Sequence, residues 1–119
     1  MKDSLKKYLI KPSSTILEAF KGIDENKKGF LLVVEDEKLL GTLTDGDIRR
    51  VLLRYPDVSV LTTKDIMTKN PKIISGDDMA TKALAFMEKY CITSLAVCDE
   101  NNSPVGIIHI HDLLKAGVA

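Results

Sequence analysis

The sequence predicts a mixed α/β (α+β) fold made of two copies of one β-α-β-β-α unit. Three observations carry this. The chain matches itself when displaced by 64 residues: Ile10 falls on Ile74, Ala19 on Ala83, Phe20 on Leu84, Ile23 on Met87, Leu31 on Leu95 and Val33 on Val97. After one extra loop residue the displacement becomes 65, and Gly41 meets Gly106, Asp47 meets Asp112 and Ile48 meets Leu113. Apolar residues recur at helical spacing at both ends of each copy, and short apolar runs rich in β-branched residues, parted by polar turns, lie between them. The expected units are residues 1–60 and 61–119, the second including the linker "YPDVSVLTTKDIMTKNP" that begins just before it. A unit of this size is marginal alone, so the two are expected to share one core.

In chain order, a short strand is expected near Leu9–Ile10, followed by a turn at "KPSS". A helix then carries the core stripe Ile16, Ala19, Phe20 and Ile23, opened by a capping box of Thr15 with Glu18. Lys27-Lys28-Gly29 reads as its end, with glycine near the C-cap. "FLLVV" and "LLGTL" read as paired strands across the charged turn "EDEK", and "DGDIRRVLLRY" resumes a helical stripe through Ile48, Val51 and Leu52. The second copy repeats this with Ala80, Ala83, Leu84 and Met87, then "SLAVC", the turn "DENNSP", "VGIIHI" and "HDLLKA". Between the copies "TKDIMT" reads as one extra helical turn ended by Pro71. Met67, Met79 and Met87 read as core fillers.

Composition bounds the function. The 119 residues include 17 basic and 17 acidic side chains, so net charge is zero, against a general binder of nucleic acid or anionic membrane. Uninterrupted apolar runs reach five residues, as in Phe30 to Val34, far short of the ~20 residues that span a bilayer, and the first residues lack the apolar stretch of a signal peptide. A cytoplasmic location is the expectation, with Cys91 and Cys98 as buried thiols rather than a bridge.

The segment Gly41-Thr42-Leu43-Thr44-Asp45-Gly46-Asp47-Ile48-Arg49 carries the chemistry. A strand ends there and a helix begins, and the unpaired N–H groups of a helix start suit an anion. Thr44 adds a hydroxyl. Asp47, one turn in, can accept hydrogen bonds from vicinal hydroxyls, as acidic residues do on ribose. Arg49 and Arg50 add positive charge for phosphate. The competing account makes Thr44 an ordinary N-cap and Asp47 a first-turn acid that complements the helix dipole. His109, His111 and Asp112 invite a metal site, with both imidazoles on one strand face, but the chain has no further histidine and the cysteines lack ligand spacing.

The repeated motif resembles the signature of CBS domains, the module named after cystathionine β-synthase. The first copy matches at Gly41, Thr44, Asp47 and Arg49, with Thr42 where the family has a hydrophobic residue; the second matches at Gly106, Ile107 and Asp112, with His109 for the hydroxyl and Leu114 for the basic residue. The resemblance covers essentially the whole chain. It implies a pair of units related by pseudo-two-fold symmetry and packed through their sheets, with two clefts for adenosine nucleotides (AMP, ADP, ATP) and a regulatory role toward an enzyme or channel. It places Thr44, Asp47 and Arg49 with Lys72, Ile73, Ile74, Thr93, Ser94 and Leu95 in one cleft. The other combines His109 and Asp112 with Leu9, Ile10, Lys11, Gly29 and Phe30. Ile10 or Ile73 would sandwich a base, and lysine or arginine would meet phosphate.

The second half, above all "GIIHIHDLLKAGVA", is similar to the C-terminal part of bacterial D-arabinose-5-phosphate isomerases, and "GTLTDGDIRRVLL" also fits CBS pairs joined to sugar nucleotidyltransferases. The resemblance implies a regulatory part, not itself a catalyst, that forms a homodimer, senses a nucleotide or sugar nucleotide, and controls an attached or partner sugar isomerase domain. The alternative it leaves open is a structural dimerisation module with vestigial clefts.

Overall fold

The computed structural model describes residues 3–75, 80–115 and 117. The chain divides into two compact units, Lys2–Pro71 and Lys72–Ala119. The first holds β1 (Leu9–Ile10), α1 (Ile16–Asn26), β2 (Phe30–Glu35), β3 (Lys38–Thr44), α2 (Asp45–Arg54), α3 (Thr63–Ile66) and β4 (Thr68–Lys69). The second holds β5 (Ile73–Ser75), α4 (Ala80–Tyr90), β6 (Ser94–Cys98), β7 (Pro104–His109) and α5 (Ile110–Lys115). The sheets run β1-β2-β3-β4 and β5-β6-β7. In each, the first two strands are parallel with a helix crossing between them, and the second and third form an antiparallel hairpin.

The internal repeat extends to register. Ile10 pairs with Val33 as Ile74 pairs with Val97; Leu31 faces Leu43 as Leu95 faces Ile108. Even the bulge recurs, after Val33 in one hairpin and after Val97 in the other. The cores follow the same rule. Ile16, Ala19, Ile23, Leu31, Leu43 and Ile48 cluster in the first unit, and Ile74, Ala83, Met87, Leu95 and Leu113 in the second. Each apolar helix stripe is set against the inward side chains of its own hairpin, which is the burial that makes such short helices stable.

Local chemistry sets the boundaries. At the start of α1 the Thr15 hydroxyl accepts the Glu18 N–H at 3.1 Å, and the Glu18 carboxylate accepts the Thr15 N–H and the Thr15 hydroxyl, each at 3.1 Å; these last two bonds hold the Glu18 carboxyl below its usual pKa. The helix ends at Lys27 in the left-handed region, φ 60°, with its N–H on the Ile23 carbonyl, so lysine holds the cap and Gly29 (φ 67°) the turn into β2. "EDEK" closes the first hairpin through Asp36 and Glu37, both left-handed, in the pattern that matches strand twist. In the second hairpin the Asp99 carboxylate organises a longer turn by accepting the N–H groups of Asn101 and Ser103, each at 2.9 Å.

Several expectations need correction. Phe20 and Leu52, expected in the core stripes, are 40% and 44% exposed, because the buried line of α1 runs Ile16, Ala19, Ile23, Asn26 and that of α2 runs Ile48, Val51. Asn26 is buried and donates its amide to the Phe30 carbonyl at 3.0 Å and to the Lys7 carbonyl at 3.3 Å, while accepting the Lys28 N–H at 2.8 Å. A 3-10 helix over Asp3–Tyr8, carrying buried Leu5, precedes β1 without a period of its own to announce it. The linker's helical turn ends at Ile66, and Thr68–Lys69 then pairs with β3 as an edge strand before Pro71 is reached. Cys98 is buried, which pushes its thiol pKa up with help from Asp99, but Cys91 is exposed at the left-handed end of α4. Met87 is buried and Met67 half-buried, while Met79 lies outside the described residues.

Gly41 and Gly106 occupy matching strand positions in different surroundings. A Cβ at Gly41 would stand 2.6 Å from the Thr68 carbonyl and 2.7 Å from the Met67 sulfur, because β4 closes on β3 there; at Gly106 the nearest atom is 3.8 Å away on Val97. Gly41→Ala is expected to cost about 1–3 kcal/mol by overpacking and Gly106→Ala to be near neutral. Urea unfolding of both variants checks this, and equal losses would contradict it. The two thiols give a second check: iodoacetamide should label Cys91 in the native protein and reach Cys98 only on unfolding.

Candidate ligand site at the strand–helix junctions

The expected site residues gather at the two strand-to-helix junctions and along the first strand of each unit. In the first unit β3 stops and α2 starts at Thr44. The Thr44 hydroxyl accepts the Asp47 N–H at 3.2 Å, and the Asp47 carboxylate accepts the Thr44 N–H at 2.9 Å through Oδ2. This reciprocal bond pair satisfies two groups that a helix start leaves without partners. Phe30 lies opposite Thr44 in the sheet, and the Asp45 N–H donates to the Gly29 carbonyl at 3.0 Å, so Gly29, Phe30, Thr44 and Asp47 form one neighbourhood.

Leu9, Ile10 and Lys11 lie elsewhere in that unit. They line a groove of about 320 Å³ with Ser14, Glu18 and Gly22. Ile10 is half-buried and Lys11 exposed, an apolar wall beside a cation.

The second unit reproduces the junction with different side chains. Ser94 lies opposite His109, the Ile110 N–H donates to the Thr93 carbonyl at 2.8 Å, and the Asp112 carboxylate accepts the His109 N–H at 3.0 Å. His109 takes the place of Thr44 as acceptor: its Nδ1 receives the His111 N–H at 3.2 Å, which puts the neutral ring's proton on Nε2. The two imidazoles stack at 4.8 Å, but His111 is on α5 and not on the strand, so the shared strand face expected of them does not form. Among the described residues no three His, Cys, Asp or Glu side chains gather closely enough to hold a metal ion.

The side chains of Ile74 and Leu95 belong to the second core, which leaves only their backbone to a ligand; Ile73 is half-buried and Thr93 exposed. Lys72 lies with its ammonium 4.8 Å from the ring centre of Tyr90.

Sequence reasoning named Arg49 as the basic residue of the motif, but it is Arg50 that reaches Asp47, donating to Oδ1 at 2.6 Å. The signal for it was the spacing: residues three apart face each other along a helix. Thus both oxygens of the Asp47 carboxylate are engaged, and each retains a lone pair for a further donor. The junction can therefore serve at once as a helix cap and as an acceptor of ligand hydroxyls.

A repeated β-α-β-β-α unit with a hydroxyl or imidazole and an aspartate at each strand–helix junction defines a tandem CBS pair. The chain matches the CBS domain family over residues 5–54 and 64–119 and belongs to it. Its relatives include arabinose 5-phosphate isomerases: KdsD of Francisella tularensis subsp. tularensis (strain SCHU S4) is 45% identical over 107 residues, which is 90% of this chain and 33% of that protein. The chain thus spans about a third of the length of the curated relatives it matches. Among solved structures, a protein with CBS domains from Burkholderia ambifaria MC40-6 is similar with a TM-score of 0.85 and 26% identity, over 99% of this chain and 88% of that one. The CBS domain pair of protein MJ0100, solved with 5′-methylthioadenosine and S-adenosyl-L-methionine, gives a TM-score of 0.80 and 28% identity, over 97% of this chain and 96% of that one. No helix among the described residues is long and apolar enough to cross a membrane.

Replacing Thr44 by alanine removes the acceptor for the Asp47 N–H and should lower stability by about 1 kcal/mol. Thermal melts of the variant are the measurement, and an unchanged melt would show that the hydroxyl is dispensable to the junction.

Proposed function

We propose that this chain is a ligand-sensing regulatory module, not itself a catalyst, that binds an adenosine nucleotide or a related nucleotide or sugar nucleotide. The regulated enzyme is an attached or partner arabinose 5-phosphate isomerase domain. The observation that carries the reading is the pair of matched junctions, each holding an aspartate carboxylate that accepts the N–H of the last strand residue, three positions before it. Asp47 and Asp112 accept ribose hydroxyls in this reading. Ile10 and Ile73 offer half-buried apolar contact to a base, and Lys11, Lys72 and Arg49 supply cations for phosphate. The adenosine ligands in the MJ0100 pair support the ligand class, and the one-third coverage of KdsD supports a separate catalytic part.

Control works by population shift: the ligand moves the module between arrangements only by its difference in affinity for them. A homodimer fits the exposed apolar residues Leu17, Phe20, Leu52 and Leu53 of α1 and α2, and two-fold closure is the commonest form. Light scattering across micromolar concentrations should give a dimer mass; a monomer throughout would remove this part.

A second reading, a dimerisation module with vestigial clefts, is favoured by one observation: the Asp47 carboxylate already serves Thr44 and Arg50. Melts with AMP, ADP, ATP and sugar nucleotides separate the two. Ligand at about 100 times its dissociation constant should stabilise the protein by ~2.7 kcal/mol, a rise of several degrees. Asp47→Asn keeps an oxygen for the Thr44 N–H but loses the charge, so it should nearly preserve the unliganded melt while weakening ligand about tenfold or more. Asp47→Ala should lower the unliganded stability by about 0.5–2 kcal/mol as well. A vestigial site predicts no ligand response in any of the three proteins.

A further inference from the structure

We propose that the strap joining α2 to β5 reports on the groove beside Ile10, because Thr63 pins it to the turn that lines that groove. The inference rests on the reading that the groove takes a ligand. Of the strap, residues 55–72, Thr63 alone is buried, at 0% exposure. A segment of this length is ordinarily anchored by large apolar side chains. Here the anchor is a threonine, and its hold is directional. Its N–H and its hydroxyl both donate to the Ser14 carbonyl, at 2.8 and 3.0 Å, which occupies both lone pairs of that oxygen. The next N–H, that of Lys64, donates to the Pro12 carbonyl at 2.9 Å, and Thr62 forms an antiparallel bridge with Thr15.

Pro12 and Ser14 belong to the turn between β1 and α1, which the Ser14 N–H closes on the Lys11 carbonyl at 3.1 Å. Lys11 and Ser14 also line the groove, with Ile10 and Glu18. One short turn therefore serves a ligand and the strap together. At its far end the strap closes on β3, where Thr68 pairs with Thr42 and Lys69 with Gly41, just short of the Thr44 junction. From there the chain runs on into β5 at Ile73. A ligand that fixes Lys11 and Ser14 removes freedom from the turn, so the strap's bonds to it then cost less to order. Occupancy of the groove thus tightens the strap, and by linkage an open strap binds the ligand more weakly by the same factor.

The test is amide hydrogen exchange followed by NMR on the whole chain, with AMP as the probe. It compares the unmodified protein with Thr63→Val, which keeps the side-chain shape and loses the hydroxyl. Melts establish that the variant is folded, and shifts at Leu9–Lys11 show that AMP has entered the groove. Without AMP the Ser14 and Lys64 amides should open together, and Thr63→Val should speed the exchange of both by about threefold or more. AMP at about 100 times its dissociation constant should slow both by about tenfold in the unmodified protein, and by less in Thr63→Val. AMP shifts at Leu9–Lys11 with unchanged exchange at Lys64 overturn the inference. So does a Thr63→Val protein that exchanges at the unmodified rate, or one that releases Lys64 while Ser14 stays protected, since strap and turn would then not act as one. If AMP causes no shift at Leu9–Lys11, the reading of the groove as a nucleotide site fails and this inference falls with it.

Discussion

The reciprocal bonds between Thr44 and Asp47 make the first unit possible in its present form. β3 must stop and α2 must begin within a single residue, and a helix start exposes N–H groups that burial would penalise. The Thr44 hydroxyl and the Asp47 carboxylate answer two of those demands at once. With the junction set, α2 leaves the sheet in the direction that lays Ile48 and Val51 inward, Ile48 onto the cluster containing Leu31 and Leu43. The carboxylate that performs this structural task is the same one the proposed ligand addresses, and that proposal couples cap strength to ligand affinity through one group.

The same device recurs along the chain with different chemistry. Glu18 serves Thr15, Asp65 serves Thr62, and Asp112 serves His109, each acid three residues after the group whose N–H it accepts. At His109 an imidazole nitrogen replaces the hydroxyl and takes the N–H of His111. The frame survives the exchange because it asks only for an acceptor beside the helix start. The exchange does change what a ligand meets, since an imidazole is bulkier than a threonine and its acceptor is lost on protonation.

The two copies also diverge where neighbours differ. The first sheet carries a fourth strand, and that strand leaves no space for a side chain at Gly41; among the described residues Gly106 has no such neighbour. Asn26, buried and bonded to Phe30 and Lys7, has exposed Tyr90 at the matching place, where Lys72 and Lys89 lie over the ring. A repeat in sequence thus fixes a shared frame of strands and helices, while the elements added around each copy decide which positions can vary.

The repeat, the order of elements, both hairpins and the Thr15–Glu18 box were legible in the sequence because each is a local pattern. Displacement, period and capping spacing need no knowledge of distant neighbours. The junction residues were legible for the same reason, as a strand end followed by a hydroxyl and an acid at helical spacing. What the tertiary structure decided depends on which face meets which. Phe20 has the right spacing for a core residue, but the angle at which α1 lies on its sheet centres Ile16, Ala19 and Ile23 and leaves Phe20 at the edge. Thr68–Lys69 is too short and polar to read as a strand, and exists because β3 offers it an unpaired edge. Arg49 and Arg50 are indistinguishable in a row of letters. Only the turn of α2 around its own axis carries Arg50 to Asp47 and leaves Arg49 in solvent, because one residue along a helix is a rotation of about 100°.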